Sequence, residues 1–217
     1  KKLCLPYSVL LALLQAVGAW LFVRAVSVRW QNPYGQAILY LLLLFSPISL
    51  TLLVTQRLYR MAIVPGMVLV VFSGMIGLTL RKELPLKKQL PWAVLTGVAL
   101  AFFWQIREDS VWILPFVAVM TVWNVGYVIL ALHKKRTGRQ LLLQCFILLL
   151  PILLLFGGNM TISAINQVHY GVFLTNDRTE GNFAELMSLL YHLQDNTEAG
   201  SDIWISRETI ARAEAVS

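Results

Sequence analysis

The sequence predicts an all-α polytopic membrane bundle of about six spans, followed by a small α+β C-terminal segment. Three observations carry that prediction. The 217 residues are 58% hydrophobic and only 13% charged, with a mean hydropathy of +0.68, whereas a soluble domain carries roughly a quarter charged residues. Six apolar runs are each long enough for a hydrocarbon layer about 30 Å thick: residues 3–23, 37–54, 61–80, 90–106, 111–132 and 141–165. Charge divides sharply, since residues 1–165 hold 15 Lys+Arg against three acids (+12) and residues 166–217 hold three Arg against eight acids (−5).

The first run is too long for a secretory signal core and has no small-residue cleavage site, so it reads as a span. All six runs lack the ten-residue alternation of barrel strands, which makes the membrane part helical. Pro47, Pro65, Pro115 and Pro151 interrupt them and predict kinks or broken ends. The opening Lys1-Lys2-Leu3 and the helix-like close from Glu208 to Ala215 lead us to expect an excerpt of a longer protein.

Orientation follows from Lys and Arg in the short loops. Arg81, Lys82, Lys87 and Lys88 crowd one loop, and Lys134, Lys135, Arg136 and Arg139 another. Both belong on the cytoplasmic side, and Arg24 with Arg29 falls there too. Residues 55–60, the turn 107–110 and everything after residue 165 are then external, as are Lys1 and Lys2, against the rule. Cations placed between spans are topology signals, so binding to nucleic acid is excluded as the reading of the net charge of +7.

After residue 165 the pattern changes. Residues 170–175 (Tyr170-Gly171-Val172-Phe173-Leu174-Thr175) read as a strand, and Phe183, Leu186, Met187, Leu190 and Leu193 form one helical face. Ile203-Trp204-Ile205 reads as a second strand and Ser206 as the cap of a last helix. So small a segment has a marginal core of its own. The sequon Asn159-Met160-Thr161 ends an apolar run and reads as chance.

Cys4 and Cys145 lie in apolar runs with no ligand partners at metal spacing, and His133, His169 and His192 form no ligating pair, so no metal centre is predicted from them. Gln15, Asn124 and Gln144, inside spans, are expected to bond across helices. No acid or base sits at a span midpoint, which argues against proton-coupled transport.

The candidate site is Glu108 and Asp109, two adjacent carboxylates at an external junction of spans between Trp104 and Trp112. Partial desolvation would raise a carboxylate toward general-base range, and a pair could instead hold a divalent cation. Arg57, Arg60 and Arg107, also external, have the fork geometry that binds phosphate. The plainer readings are a polar turn with an N-capping Asp109 or Ser110, interfacial tryptophans, arginines paired with lipid headgroups, or a re-entrant second and third run.

Phe45-Ser46-Pro47 through Arg57-Leu58-Tyr59-Arg60, Ala101 to Trp104, Arg107 to Pro115 and residues 170–175 together resemble bacterial multi-span proteins of cell-surface glycan loci. The plan is also similar to C-type-fold glycosyltransferases that use polyprenyl-phosphate sugars. That fold carries a decisive acidic motif in its first external loop, absent here, so the motif is upstream or the likeness stops short of the active site. The resemblance implies a bacterial cytoplasmic-membrane enzyme that transfers a sugar from a polyprenyl-phosphate donor to an external acceptor. Glu108 or Asp109 would be base or metal ligand, and Arg57, Arg60 and Arg107 would hold the phosphate. A non-enzymatic assembly or flippase-like component, or a transporter, are the alternatives.

Overall fold

The structure, a computed structural model, describes residues 4–47, 60–106, 110–132, 136–176 and 180–192, together with Ala211, Glu214 and Ala215. The described residues are helical, with no strand among them. Among the described residues, five helices are long and apolar enough to cross a membrane. They are α1 (Cys4–Val26), α3 (Val64–Leu80), α4 (Leu86–Ile106), α5 (Leu114–Leu132) and α6 (Gly138–Tyr170); α2 (Pro33–Leu44) and α7 (Gly181–His192) are shorter. The chain is a multi-pass membrane protein. At 1.5 Å per residue α1 is about 34 Å long and α6 about 50 Å.

Of the expected second span, residues 37–54, the described part is a short helix. Asn32 caps α2 by accepting from the Tyr34 and Gly35 amides, and Pro33 supplies the preset first turn. The helix then stops at Leu44, after 12 residues and about 18 Å, too short for a hydrocarbon layer. Pro47 has no N–H, and its ring would collide with the Leu43 carbonyl if the helix continued. Residues 48–54 of that run lie outside the described residues. The other prolines also mark ends more than kinks. Pro65 and Pro115 each sit second in a helix that follows a 3-10 turn, Arg60–Ile63 before α3 and Ser110–Ile113 before α5. At those positions the missing donor costs nothing. Pro151 alone of the four lies inside a helix, α6.

The chain divides into two compact units, residues 1–159 and 160–217. Packing in the first is set by small residues. Gly18 and Gly66 let α1 and α3 approach until a β-carbon on Gly18 would lie 3.2 Å from the Gly66 carbonyl oxygen. Ser73 of α3 donates to the Gly18 carbonyl at 3.3 Å, and Arg81 reaches the carbonyls of Arg24 and Ala25. Those pairings run in the same direction, so α1 and α3 are parallel. Gly74 faces Thr96 and Gly77 faces Trp92, so α4 is antiparallel to α3. Phe72 stacks on Phe116 with centroids 4.0 Å apart and Asn124 bonds Thr79, so α5 parallels α3. Gln144 meets Gln89, Leu154 meets Gly97 and Asn159 meets Gln105, so α6 parallels α4.

In the second unit, Gly171 at φ 74° ends α6, with its amide bonded to the Gln167 carbonyl. The strand expected over residues 170–175 is corrected: Tyr170 is still helical and residues 171–175 are irregular. That stretch is tied to the helix it leaves, by Asn166 Nδ2 to the Leu174 carbonyl at 2.7 Å and by the Ser163 and Thr175 hydroxyls at 2.9 Å. A strand needs an edge to pair with, and these bonds spend its polar groups on side chains. The expected helix of this unit is present as α7, with Phe183 and Leu186 half exposed. Ile203 to Ile205 and Ser206 lie outside the described residues.

Candidate functional site

The helix directions sort the polar sequence into two ends. Arg24, Arg29, residues 81–88 and Arg136 gather at one, hereafter the basic end. The two 3-10 turns lie at the other. Carried to the start of α3, the antiparallel register that pairs Gly74 with Thr96 puts Val64 level with Ile106, and the Arg60–Ile63 turn packs on α1, α3 and α4. The second turn is closed by Ser110, which is 1% exposed and donates to the Phe103 carbonyl at 3.3 Å, while Trp112 meets Phe103 edge-on at 5.7 Å. Ile106 and Ile113 are buried beside them.

Of the predicted site residues, Arg57, Arg107, Glu108 and Asp109 lie outside the described residues, and Arg60 enters as the backbone that begins its turn. The described residues next to them in sequence, the Arg60–Ile63 turn and Ile106 with the Ser110–Ile113 turn, lie at one end of the bundle. Among the described residues no three His, Cys, Asp or Glu side chains group as metal ligands. Gln105 donates to Asn159 Oδ1 at 2.8 Å, so the sequon asparagine is engaged between α4 and α6.

The basic end holds a network that sequence reasoning read only as loop charge. Arg81 is 8% exposed, and its guanidinium donates to the carbonyls of Arg24 (2.7 Å), Ala25 (3.1 Å) and Gly77 (3.2 Å) while lying 4.3 Å from the centre of the Trp92 ring system. It thereby caps two helix C-termini, where cations are favoured. Burial, and secondarily Arg24, lowers its pKa from the usual arginine value. Gln89 donates to the Leu84 and Lys82 carbonyls, Gln144 to the Lys82 carbonyl, and Arg136 to Gln144 Oε1 and the Glu83 and Leu84 carbonyls. Tyr127 donates to Glu83 Oε1 at 2.5 Å, and Lys82 Nζ sits 3.9 Å from the Tyr127 ring centre. Amide, guanidinium and phenol groups from three helices and a loop thus clamp one interhelical turn.

No protein-family model, curated protein or solved structure matches this chain. What can be said of its chemistry therefore rests on the arrangement itself: a clamped cationic end, and an opposite end where two 3-10 turns lead into proline-started helices. The polar residues expected to bond across helices do so, Asn124 to Thr79 at 2.9 Å and Gln144 as above. Gln15 joins them, its Nε2 donating to the Leu43 carbonyl of α2 at 2.7 Å. Sequence reasoning missed that its Oε1 is left buried without a partner among the described residues. The signal was an amide in the middle of an apolar run.

Proposed function

We propose that this chain is a glycosyltransferase of the bacterial cytoplasmic membrane, moving a sugar from a polyprenyl-phosphate donor to a cell-envelope acceptor on the external side. One observation carries most of the weight: the segments bearing Arg57 and Arg60 and those bearing Arg107, Glu108 and Asp109 adjoin turns at the same end of the bundle, opposite the basic end. The basic end then faces the cytoplasm, by the bias of Lys and Arg in short loops, and residues 166–217 are external.

In this reading Glu108 or Asp109 takes the proton from an acceptor hydroxyl, and the resulting oxygen attacks the anomeric carbon. The bond from that carbon to the phosphate oxygen breaks, and polyprenyl phosphate leaves with the electron pair. Arg57, Arg60 and Arg107 stabilise the phosphate charge as it grows. The second carboxylate can hold a divalent cation against the same phosphate.

Replacing Glu108→Gln and Asp109→Asn together should abolish glycan transfer in cells while membrane protein abundance holds. Unchanged glycan would leave these residues as a turn in a non-enzymatic envelope component. In the same cells, with Cys4 and Cys145 replaced, an impermeant thiol reagent should reach a cysteine at Asn182 and miss one at Thr137. The reverse pattern would put the carboxylates in the cytoplasm and end the external mechanism.

A further inference from the structure

α1 and α2 form an antiparallel hairpin, Gln15 of one meeting Leu43 of the other. Toward the basic end a crevice of about 440 Å³ lies between them, lined by Trp20 and Arg24 of α1 and by Gln36 and Tyr40 of α2 among others. Arg24 and Gln36 stand one helical turn, about 6 Å, nearer the basic end than Trp20 and Tyr40. The backbone donors at the start of α2 are already engaged: Pro33 has none, Asn32 Oδ1 accepts from the Tyr34 and Gly35 amides, and the Gln36 amide donates to the Asn32 carbonyl. Gln36 Nε2 donates to the Trp30 carbonyl at 2.6 Å, and the Ser27 hydroxyl to the Arg24 carbonyl at 2.9 Å. The Arg24 guanidinium and the Tyr40 hydroxyl have no partner among the described residues.

Glu83 is the only acid in residues 1–107, and it is taken: Tyr127 donates to it and Arg29 lies 4.0 Å away. Arg24 is exposed, and its charge reaches the buried Arg81 strongly enough to help lower that group's pKa. Positive charge at the crevice therefore has no internal counter-ion. Below Arg24 the lining turns apolar, with Trp20, Val23 and Ala37. Basic recesses between membrane helices take anionic headgroups in this way. A phosphodiester carries one negative charge, which matches one unpaired guanidinium. A choline or ethanolamine ammonium would lie among Arg24, Arg29 and Arg81 with no free carboxylate to meet it, which selects against zwitterionic lipids.

We propose that this crevice binds one anionic glycerophospholipid, its phosphate held by the Arg24 guanidinium and the Tyr40 hydroxyl and the start of an acyl chain laid against Trp20 and Val23. Side chains lean toward the N-terminus of their own helix, so in this antiparallel pair Arg24 leans inward and Tyr40 outward, toward a common level. Arg81 uses the Arg24 carbonyl alone, which leaves the Arg24 side chain free for the lipid. The site lies at the opposite end from the carboxylates of the proposed function and does not depend on that reading.

The test is native mass spectrometry of the full chain released from a neutral detergent, with phosphatidylglycerol and phosphatidylcholine of identical acyl chains offered in equal amount. The wild type should retain one phosphatidylglycerol per chain in preference. Arg24→Gln should lower that preference roughly fivefold, the weight of one basic residue at an anionic surface. Lys87→Gln with Lys88→Gln removes two cations at the same end but outside the crevice, and should leave the bound lipid in place. Equal retention of both lipids by the wild type would overturn the proposal, as would an equal loss in the lysine variant, which would make retention a matter of net charge. Displacement by inorganic phosphate would overturn it in favour of a soluble ligand. If Arg24→Gln fails to fold, Trp20 gives an independent readout. In nanodiscs, phosphatidylglycerol brominated on its acyl chains should quench wild-type fluorescence more than the matching phosphatidylcholine, and Trp20→Phe should remove the difference. A difference that survives Trp20→Phe would put the lipid elsewhere and sink the assignment.

Discussion

The basic end and the middle of α1 handle buried polarity in opposite ways. At the basic end Arg81, Gln89 and Gln144 are all buried, and each donates to carbonyls contributed by the neighbouring turn or helix end. Halfway along α1, Gln15 satisfies its donor and leaves its acceptor alone. Asn124 Oδ1 and Thr121 Oγ1 are also unpartnered among the described residues. A completed network rigidifies, whereas an unpaired buried acceptor costs stability. The lesson is that equal hydrophobicity conceals unequal polar satisfaction: one region is a completed clamp and the other keeps an unpaired acceptor.

The largest break in that comparison should come from Arg81→Ala. Three carbonyls at two helix ends lose their donor and Trp92 loses its cation, so about 3 kcal/mol of stability should go. Arg81→Lys keeps the charge but cannot fork across three carbonyls, and should fall between. Thermal unfolding of the detergent-solubilised protein reads both. If Arg81→Ala unfolds with the wild type, the clamp is ornamental.

Next in size is the packing that lets the clamp form. A β-carbon at Gly77 would meet Trp92 Cζ3 at 2.7 Å, and one at Gly74 would meet Thr96 Cβ at 3.0 Å. Gly77→Ala should therefore cost about 1–3 kcal/mol by overpacking. Gly126→Ala, where nothing lies within 4 Å, should be neutral or gain up to about 1 kcal/mol from helix propensity. Equal effects in the same unfolding assay would mean that close approach of α3 and α4 does not limit stability.

Much of this architecture was legible. Apolar run length located the five long helices to within a few residues, although α6 runs 33 residues because its polar end, Asn166 to Tyr170, continues the helix past the apolar run. The end of α2 was legible in Pro47, one of the four prolines expected to kink or end a span. The strand expected at 170–175 failed because β-branched and aromatic composition says nothing about an available edge. Of the candidate site, the sequence placed Arg57, Arg60, Arg107, Glu108 and Asp109 on one side by counting spans, and helix directions now put their neighbours at one end. Burial of Arg81 was not legible, since a cation in a basic loop reads the same whether it faces water or caps two helices.

The smallest effect belongs to Lys82, the clamp's least settled member. Burial lowers its pKa from the ordinary 10.5, Arg29 adds to the fall and Glu83 opposes it. Lys82 also lies over the Tyr127 ring, a contact that favours its charged form. A lysine lowered on folding binds fewer protons in the native than in the unfolded chain between its lowered value and 10.5. Stability should therefore rise with pH across that window, and be lower by the full amount below it. Lys82→Met removes the group from both states, so wild type minus variant should show a slope of that sign in unfolding measured from neutral to alkaline pH. A flat difference would mean that the cation–π contact and Glu83 together offset the burial, leaving Lys82 as well settled as the arginine beside it.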